Sequence, residues 1–286
     1  LRGKGYDPDV LIMTATPIPR TLALTVYGDL DVSIVDEMPK GRRPIETRWY
    51  TERQRAAAND AIQRAIQQGH QAYVVAPLIE ESDGEIRSAT HVADRLHGLF
   101  SEASIGLLHG RLTRRAKDLV MEGFAGGAIH ILVATTVVEV GIDVANATVM
   151  VIEHADRYGL AQLHQLRGRV GRGPHPSLCV LMSSGRVSAD ARARLDTMVA
   201  TRDGFQLAER DLALRGPGEF LGTRQSGLPD LRAANLARDG RVVEEARREA
   251  FDLFRRDPGL VDPRHAALKD ALVRTWGTRL ALGAIG

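Results

Sequence analysis

Residues 45–184 predict an α/β domain built on a parallel sheet with helices covering both faces. Two observations carry this. The apolar runs in this stretch are short and continuous, without the polar alternation of a half-exposed strand, as strands buried on both faces require. Between most of them lie segments with helical spacing, several stopped by glycine, so strands and helices alternate as they do in parallel sheets.

In chain order, "VLIM" (10–13) reads as a buried strand running into the Pro-punctuated "TATPIPRT". "SIVDEMPKGRRPIETRWY" is a polar connector, and the domain proper begins after Pro44. From Glu52 to Gln68 the spacing of Ala58, Ile62, Ala65 and Ile66 is helical, and Gly69 ends it. "QAYVVAPLI" (71–79) is a strand, "EESDGE" a polar loop and "THVADRLHGLF" a helix. "SIGLLHG" is a strand, "TRRAKDLVMEGFAGG" a helix with a glycine stop, and "IHILVAT" and "ATVMVIEHA" are further strands. "LAQLHQLRGRVG" has helical character, and "SLCVLMSS" is the closing strand.

After "SSGRVSAD" the pattern changes. Residues 188–213 form two helical stretches broken at "TRDG", a candidate hairpin with Asp203 as N-cap. "LRGPGEFLGTRQSGLPD" is rich in Gly and Pro and reads as a loop. Amphipathic helices at 240–256 and 263–276 flank a "DPGLVDP" break. The expected organisation is therefore 1–44, the end of a preceding domain with its linker; 45–184, the α/β domain; 185–230, hairpin and loop; and 231–286, a mainly helical region.

Composition narrows the class. Of 286 residues, 44% are apolar and 26% charged, ordinary values for a globular protein, and the apolar runs are too short for a membrane span. The single cysteine, Cys179, lies in an apolar run and reads as a core thiol in a chain suited to a reducing cytosol. Net charge is only +2, so no strong basic field announces nucleic acid. The start, "LRGKGYDPDV", has neither an initiator Met nor an apolar signal segment and is expected to be the interior of a longer protein. No His or Cys stands at metal-ligand spacing, so no metal site is expected.

The chemistry concentrates in a few stretches. "QLRGRVGR" (165–172) places three guanidiniums within six residues, a combination that suits polyphosphate, yet no glycine-rich phosphate cradle occurs in the chain. Ligands of α/β sheets gather beyond the carboxyl ends of the strands. "HGRLTRR" (109–115), "TTVVEVGID" (135–143) and the arginine segment are all expected there. Gly141 permits a tight turn, and Asp143 suits either a ribose hydroxyl or a helix cap. Thr135 and Thr136 suit phosphate-backbone contacts or a strand-end cap.

In combination, "ATTVVEVGID" and, 22 residues on, "QLRGRVGRG" resemble the fifth and sixth motifs of superfamily-two helicases. "LIMTATPIPRT" resembles their third motif. The resemblance implies a RecA-like second motor domain that lends arginines to an ATP, with its Mg2+, held by a preceding first domain. It places Arg169 and Arg172 at the two phosphate-facing arginine positions and Gln165 at the first residue of the sixth motif. Gly141 and Asp143 fall to the nucleotide, His109, Arg111, Thr135 and Thr136 to DNA, and Thr14, Thr16 and Arg20 to coupling. Arg167, out of phase with the others, is expected at the surface or facing DNA.

"TATPIPRTLALTVYGDLDVSIVDEMPKGR", "PLIEES", "LLHGRL" and "GLAQLHQLRGRVGRG" together are similar to the RecG branch of these helicases. "DGFQLAERDLALRGPGEFLGTRQSG" resembles the TRG motif, shared with the transcription-repair coupling factor Mfd. That resemblance implies branched or duplex DNA as partner, a bacterial cytoplasmic and nucleoid location, a monomer, and a coupling role for Arg215 and Gln225. Alternatives are an Mfd-like translocase half and a stand-alone, ATP-independent α/β module whose arginines simply hold phosphate. An RNA helicase half leaves the hairpin and its loop unexplained.

Overall fold

The computed structural model describes residues 43–76, 82–135, 143–215 and 239–283, with single positions at 11, 13, 33, 35 and 37. Of the buried strand expected at 10–13 only Leu11 and Met13 are described, and both are exposed and outside any strand, a correction to that expectation; Thr14, Thr16 and Arg20 lie outside the described residues. The described chain forms two compact units, one reaching Arg215 and one comprising Asp239–Gly283.

In the first unit six strands form one sheet: β1 (Glu46–Thr51), β2 (Gln71–Val75), β3 (Ile105–Leu108), β4 (Ile131–Ala134), β5 (Ala147–Ile152) and β6 (Leu178–Ser183). Their order is β1-β6-β5-β2-β4-β3, and every pairing is parallel. The helices are α1 (Arg55–Gln67), α2 (Ser82–Leu99), α3 (Arg114–Ala125), α4 (Leu160–Arg167), α5 (Ala189–Ala200) and α6 (Gly204–Arg215).

Side chains alternate between two cores, as strand geometry requires. Ala72, Val74, Ile131, Val133, Val149 and Val151 face α1 and α2, meeting Ile62 and Leu96. Tyr73, Val75, Leu132, Met150 and Ile152 face the other side, meeting Phe124 of α3, Leu163 and Leu166 of α4, and Leu195 and Met198 of α5. Both faces are therefore filled, and the uniformly apolar strands follow from that.

Two expectations need correction. The stretch assigned to the connector's end contains β1, an edge strand paired with β6 from Glu46↔Leu178 to Thr51↔Ser183. Its polar residues hid it: Glu46 and Arg48 sit exposed and pair with each other at 2.6 Å, while Trp49 packs against the core and donates Nε1–H to Ser183 Oγ at 2.8 Å. The "EESDGE" loop is helical from Ser82 onward, as part of α2. Ser and Asp suit the first positions of a helix, and Gly84 costs only about 1 kcal/mol there, less than the following turns supply.

Buried charge ties the carboxyl edge of the sheet to α1 and α2. Glu153, just past β5, is 3% exposed. It accepts two hydrogen bonds from Arg55 of α1, at 2.7 and 2.8 Å, and one from Arg95 of α2 at 2.7 Å. Burial alone would raise its pKa, but the guanidiniums outweigh burial and hold it below the ordinary glutamate value.

The helical hairpin is α5 and α6. Ser188 Oγ caps α5 by accepting from Ala191 N at 3.2 Å. Asp203 Oδ1 accepts from Phe205 N at 2.8 Å, the capping expected from the sequence. Because Leu195, Met198 and Leu207 belong to the sheet's own core, the hairpin is packed on the α/β domain and not tethered beside it.

The second unit contains α7 (Gly240–Arg256) and α8 (Ala266–Gly283). At the corner between them, Asp257 accepts from Val261 N at 2.9 Å, Asp262 N at 3.0 Å and His265 Nδ1 at 2.8 Å. That side-chain knot replaces the helix ladder that "DPGLVDP" interrupts. No described helix is long and apolar enough to cross a membrane.

Candidate functional site

α4 is short and built on three buried leucines, Leu160, Leu163 and Leu166. Gln162 Oε1 accepts from Gly159 N at 3.2 Å and starts it, and Gly168 ends it. The chain then continues in tight turns, with Arg169 N donating to Leu166 O at 3.0 Å and Val170 N to Arg167 O at 3.3 Å. Gln165 stands on α4 out of phase with the three leucines, and beyond the helix Arg169 and Arg172 both lie within electrostatic reach of Tyr73. Gln165 and Arg169 are half-buried. Arg172 Nε donates to Gly168 O at 3.0 Å, and its Nη1 forms an ion pair with Asp143.

The Arg172–Asp143 pair is partly solvated, with side-chain exposures of 31% and 60%. Exposed pairs of this kind contribute at most about 1 kcal/mol, so an arriving polyphosphate can displace the carboxylate at little cost. Beneath them lies Tyr73, whose phenol is pushed up to about 12 by burial against the opposing field of Arg169 and Arg172.

The glycines among the arginines serve the chain itself. Gly171 has φ +71°, and a Cβ there would meet Ile45 Cγ1 at 2.6 Å. A Cβ on Gly173 would collide with the carbonyl of Ala145. Close backbone approach was expected; the neighbours are the residues leading into β1 and β5. These contacts also correct the position of the segment. α4 runs back across the sheet, so the arginines and Asp143 lie at the amino edge of the strands, where the sequence placed them at the carboxyl edge.

The residues assigned to DNA occupy that carboxyl edge instead. His109 follows β3 and Thr135 follows β4, and Thr135 N donates to Leu108 O at 3.1 Å, holding the two strand ends together. Thr135 Oγ1 and His109 Nδ1 are buried with no hydrogen-bond partner among the described residues. Buried polar atoms are rarely left so, and unsatisfied ones are costly. Arg111 sits in the exposed turn between His109 and the Thr113 cap of α3. The strands in between are four to six residues long, so the two groups are on the order of 13–20 Å apart. Thr136, Gly141 and Gln225 lie outside the described residues, as does the side chain of Arg215, whose backbone ends α6.

Arg167 is a further correction. It is 3% exposed, neither at the surface nor positioned to face DNA. Its Nη1 donates to Met198 O at 3.0 Å and Thr201 O at 2.9 Å, with a long contact to Thr47 Oγ1 at 3.5 Å. Helical phase was the available signal: Arg167 stands four residues after Leu163 and seven after Leu160, in register with the buried stripe. Arg194 of α5 was also missed; it donates to Tyr158 O at 3.2 Å and Asp156 O at 2.8 Å, just before α4.

A parallel sheet of this order, a helix ending in spaced arginines and a hairpin packed behind it define a RecA-like helicase C-terminal domain. Residues 56–174 match the model of the helicase conserved C-terminal domain. Residues 201–283 match that of "ATP-dependent DNA helicase RecG, domain 3, C-terminal". The chain belongs to the RecG family, as its C-terminal helicase part. It is 50% identical over 277 residues to the ATP-dependent DNA helicase RecG of Bacillus subtilis (strain 168), covering 96% of this chain and 40% of that protein. With the protein of the same name from Synechocystis sp. it shares 51% over 278 residues, covering 96% and 33%. A solved structure of RecG bound to a three-way DNA junction superposes with a TM-score of 0.64 at 45% identity, covering 80% of this chain and 30% of that one. The chain thus spans two fifths or less of the length of these curated relatives.

Proposed function

We propose that this chain is the second motor domain of an ATP-dependent double-stranded DNA translocase that remodels branched DNA in recombination and repair. The observation that carries this is Arg172 held in a weak, solvated pair with Asp143, with Arg169 acting on the same Tyr73, in a chain of the RecG family. ATP and its Mg2+ are held mainly by a preceding motor domain. The donors present here, two guanidiniums and a carboxamide, fit phosphate oxygens and not a metal.

When the two domains close, Arg172 exchanges Asp143 for phosphate oxygens, and Arg169 adds a second guanidinium. Both stay charged and stabilise the charge that develops on the transferred phosphoryl group. Asp143, released from Arg172, and the backbone at Gly141 accommodate the nucleoside. At the opposite edge, Thr135, Thr136, His109 and Arg111 hold backbone phosphates of duplex DNA, which would supply partners to Thr135 Oγ1 and His109 Nδ1, atoms without one among the described residues. Thr14, Thr16 and Arg20 link hydrolysis to domain movement, and Arg215 and Gln225 carry it from the hairpin to the loop that follows. A monomer acting at replication forks and Holliday junctions in the bacterial cytoplasm is the expected setting. The match of residues 201–283 to the RecG-specific model favours this over an Mfd-like half.

The test is Arg172→Ala in the full-length protein. Nucleotide affinity should stay within about threefold while DNA-stimulated turnover falls on the order of 10³-fold or more, the usual loss of an arginine finger. Turnover within ~3-fold of the parent would make Arg172 a structural residue and remove the basis of the proposal.

A further inference from the structure

The arginine segment and the hairpin are joined by a contact that the roles assigned above leave unused. α5 ends at Ala200, and the carbonyls of its last turn have no partners within the helix. Arg167 takes two carbonyls at this end, those of Met198 and Thr201, on one guanidinium nitrogen. A cation at a helix C-terminus also lies favourably along the helix dipole. Arg167 belongs to α4 and stands only two residues before Arg169 and five before Arg172. Behind it, burial in the core lowers the guanidinium's pKa, and its Nη2 is buried without a hydrogen-bond partner among the described residues. A charged group is being held in the core at real cost, for contacts made chiefly to the hairpin backbone.

At the other end of α4, Arg194 of α5 donates to Tyr158 O and Asp156 O. α4 is therefore pinned to α5 at both of its ends, in opposite directions: Arg194, midway along α5, grips the entry to α4, and the last residue of α4 grips the exit of α5. A displacement that reaches α4 from residues 168–172 therefore meets resistance to slippage against α5. Packed elements joined by short hydrogen bonds move together, because close-packed contacts are not continuously deformable.

We propose that Arg167 is the positioning residue that carries nucleotide engagement at Arg169 and Arg172 to the turn between α5 and α6. It touches neither phosphate nor DNA and acts only through the hairpin. This rests on the nucleotide reading above and adds to it the route by which the hairpin senses that site. Lysine at this position keeps the charge, but its ammonium ends one atom short of where Nη1 meets the carbonyls of Met198 and Thr201, so it cannot hold both without shifting the backbone.

The experiment is amide hydrogen exchange on the full-length protein, with and without a non-hydrolysable ATP analogue, for the parent and Arg167→Lys. In the parent, the analogue should change exchange by at least about threefold both at 168–172 and at the turn 199–205. In Arg167→Lys the change at 168–172 should persist, with analogue affinity within about threefold, while the change at 199–205 disappears. ATP consumed per base pair unwound on one forked substrate should rise several-fold. A purely structural arginine would instead lower the melting temperature and both activities in proportion. The proposal is overturned if the turn still responds in the variant, or if the parent responds at 168–172 but not at the turn. That parental result decides the matter even if the variant does not fold. Absence of any response at 168–172 in the parent would sink the nucleotide reading itself, and the Arg167 role with it.

Discussion

Replacing Glu153 by glutamine should destabilise the α/β domain by about 3 kcal/mol at neutral pH. The carboxylate is 3% exposed and accepts three guanidinium hydrogen bonds of 2.7–2.8 Å from Arg55 and Arg95. The amide is nearly isosteric, so packing is kept. Its NH2 group, however, faces guanidinium donors and cannot accept from them. At least one charge-assisted bond is lost at about 1.5–3 kcal/mol, and a second N–H is left facing another donor. Two facts limit the loss: Arg55 keeps its pair with Glu52, and the Arg55 and Arg95 side chains are 20% and 27% exposed, so water restores part of the solvation. The pH dependence supplies the sharper test. Because the guanidiniums hold the folded pKa of Glu153 below its ordinary value, its contribution is complete above the unfolded pKa of about 4.3. It is lost as pH falls through the folded value. Urea unfolding of parent and variant at pH 7 and at steps down to pH 3 should show a gap that closes in acid. A gap under ~1 kcal/mol at pH 7, or one that stays constant with pH, would refute the buried ion-pair argument.

Three further outcomes can be measured independently. Gly171→Ala should cost about 2 kcal/mol or more, since φ is +71° and the new Cβ meets Ile45 Cγ1 at 2.6 Å; a parental melting temperature would show that the turn relaxes freely. The Cys179 thiol, fully buried and pushed up to about 12 by that burial, should react with a thiol reagent only as fast as the domain unfolds. Labelling within seconds in native buffer would contradict its burial. The 286-residue chain alone should show no DNA-stimulated ATP hydrolysis, and a contaminant-free preparation that turns over ATP would defeat the two-domain site.

Much of this protein is written locally. Five of the six strands, the hairpin and the α7–α8 corner could be read directly, because a strand buried on both faces must be a short apolar run and a helix must repeat its apolar residues every three or four positions. Asp203 could be named as a cap since capping is an interaction between residues two or three apart. The spacing of Gln165, Arg169 and Arg172 is equally local, and so was legible. What the sequence lost were features whose partners are distant along the chain. β1 is a strand because β6 offers it an edge, over a hundred residues away, and nothing in "ETRWYT" reports that edge. The triad of Arg55, Arg95 and Glu153 joins two helices to a strand end. The edge of the sheet on which the arginines lie depends on α4 crossing back over the strands, a direction fixed by packing. Arg167 shows the division within one side chain. Its helical phase, in step with Leu160 and Leu163, already placed it inward, but its charge argued for solvent. Only the tertiary structure supplied the carbonyls of Met198 and Thr201 that let a guanidinium stay in the core, because such partners exist only once α5 is folded against α4.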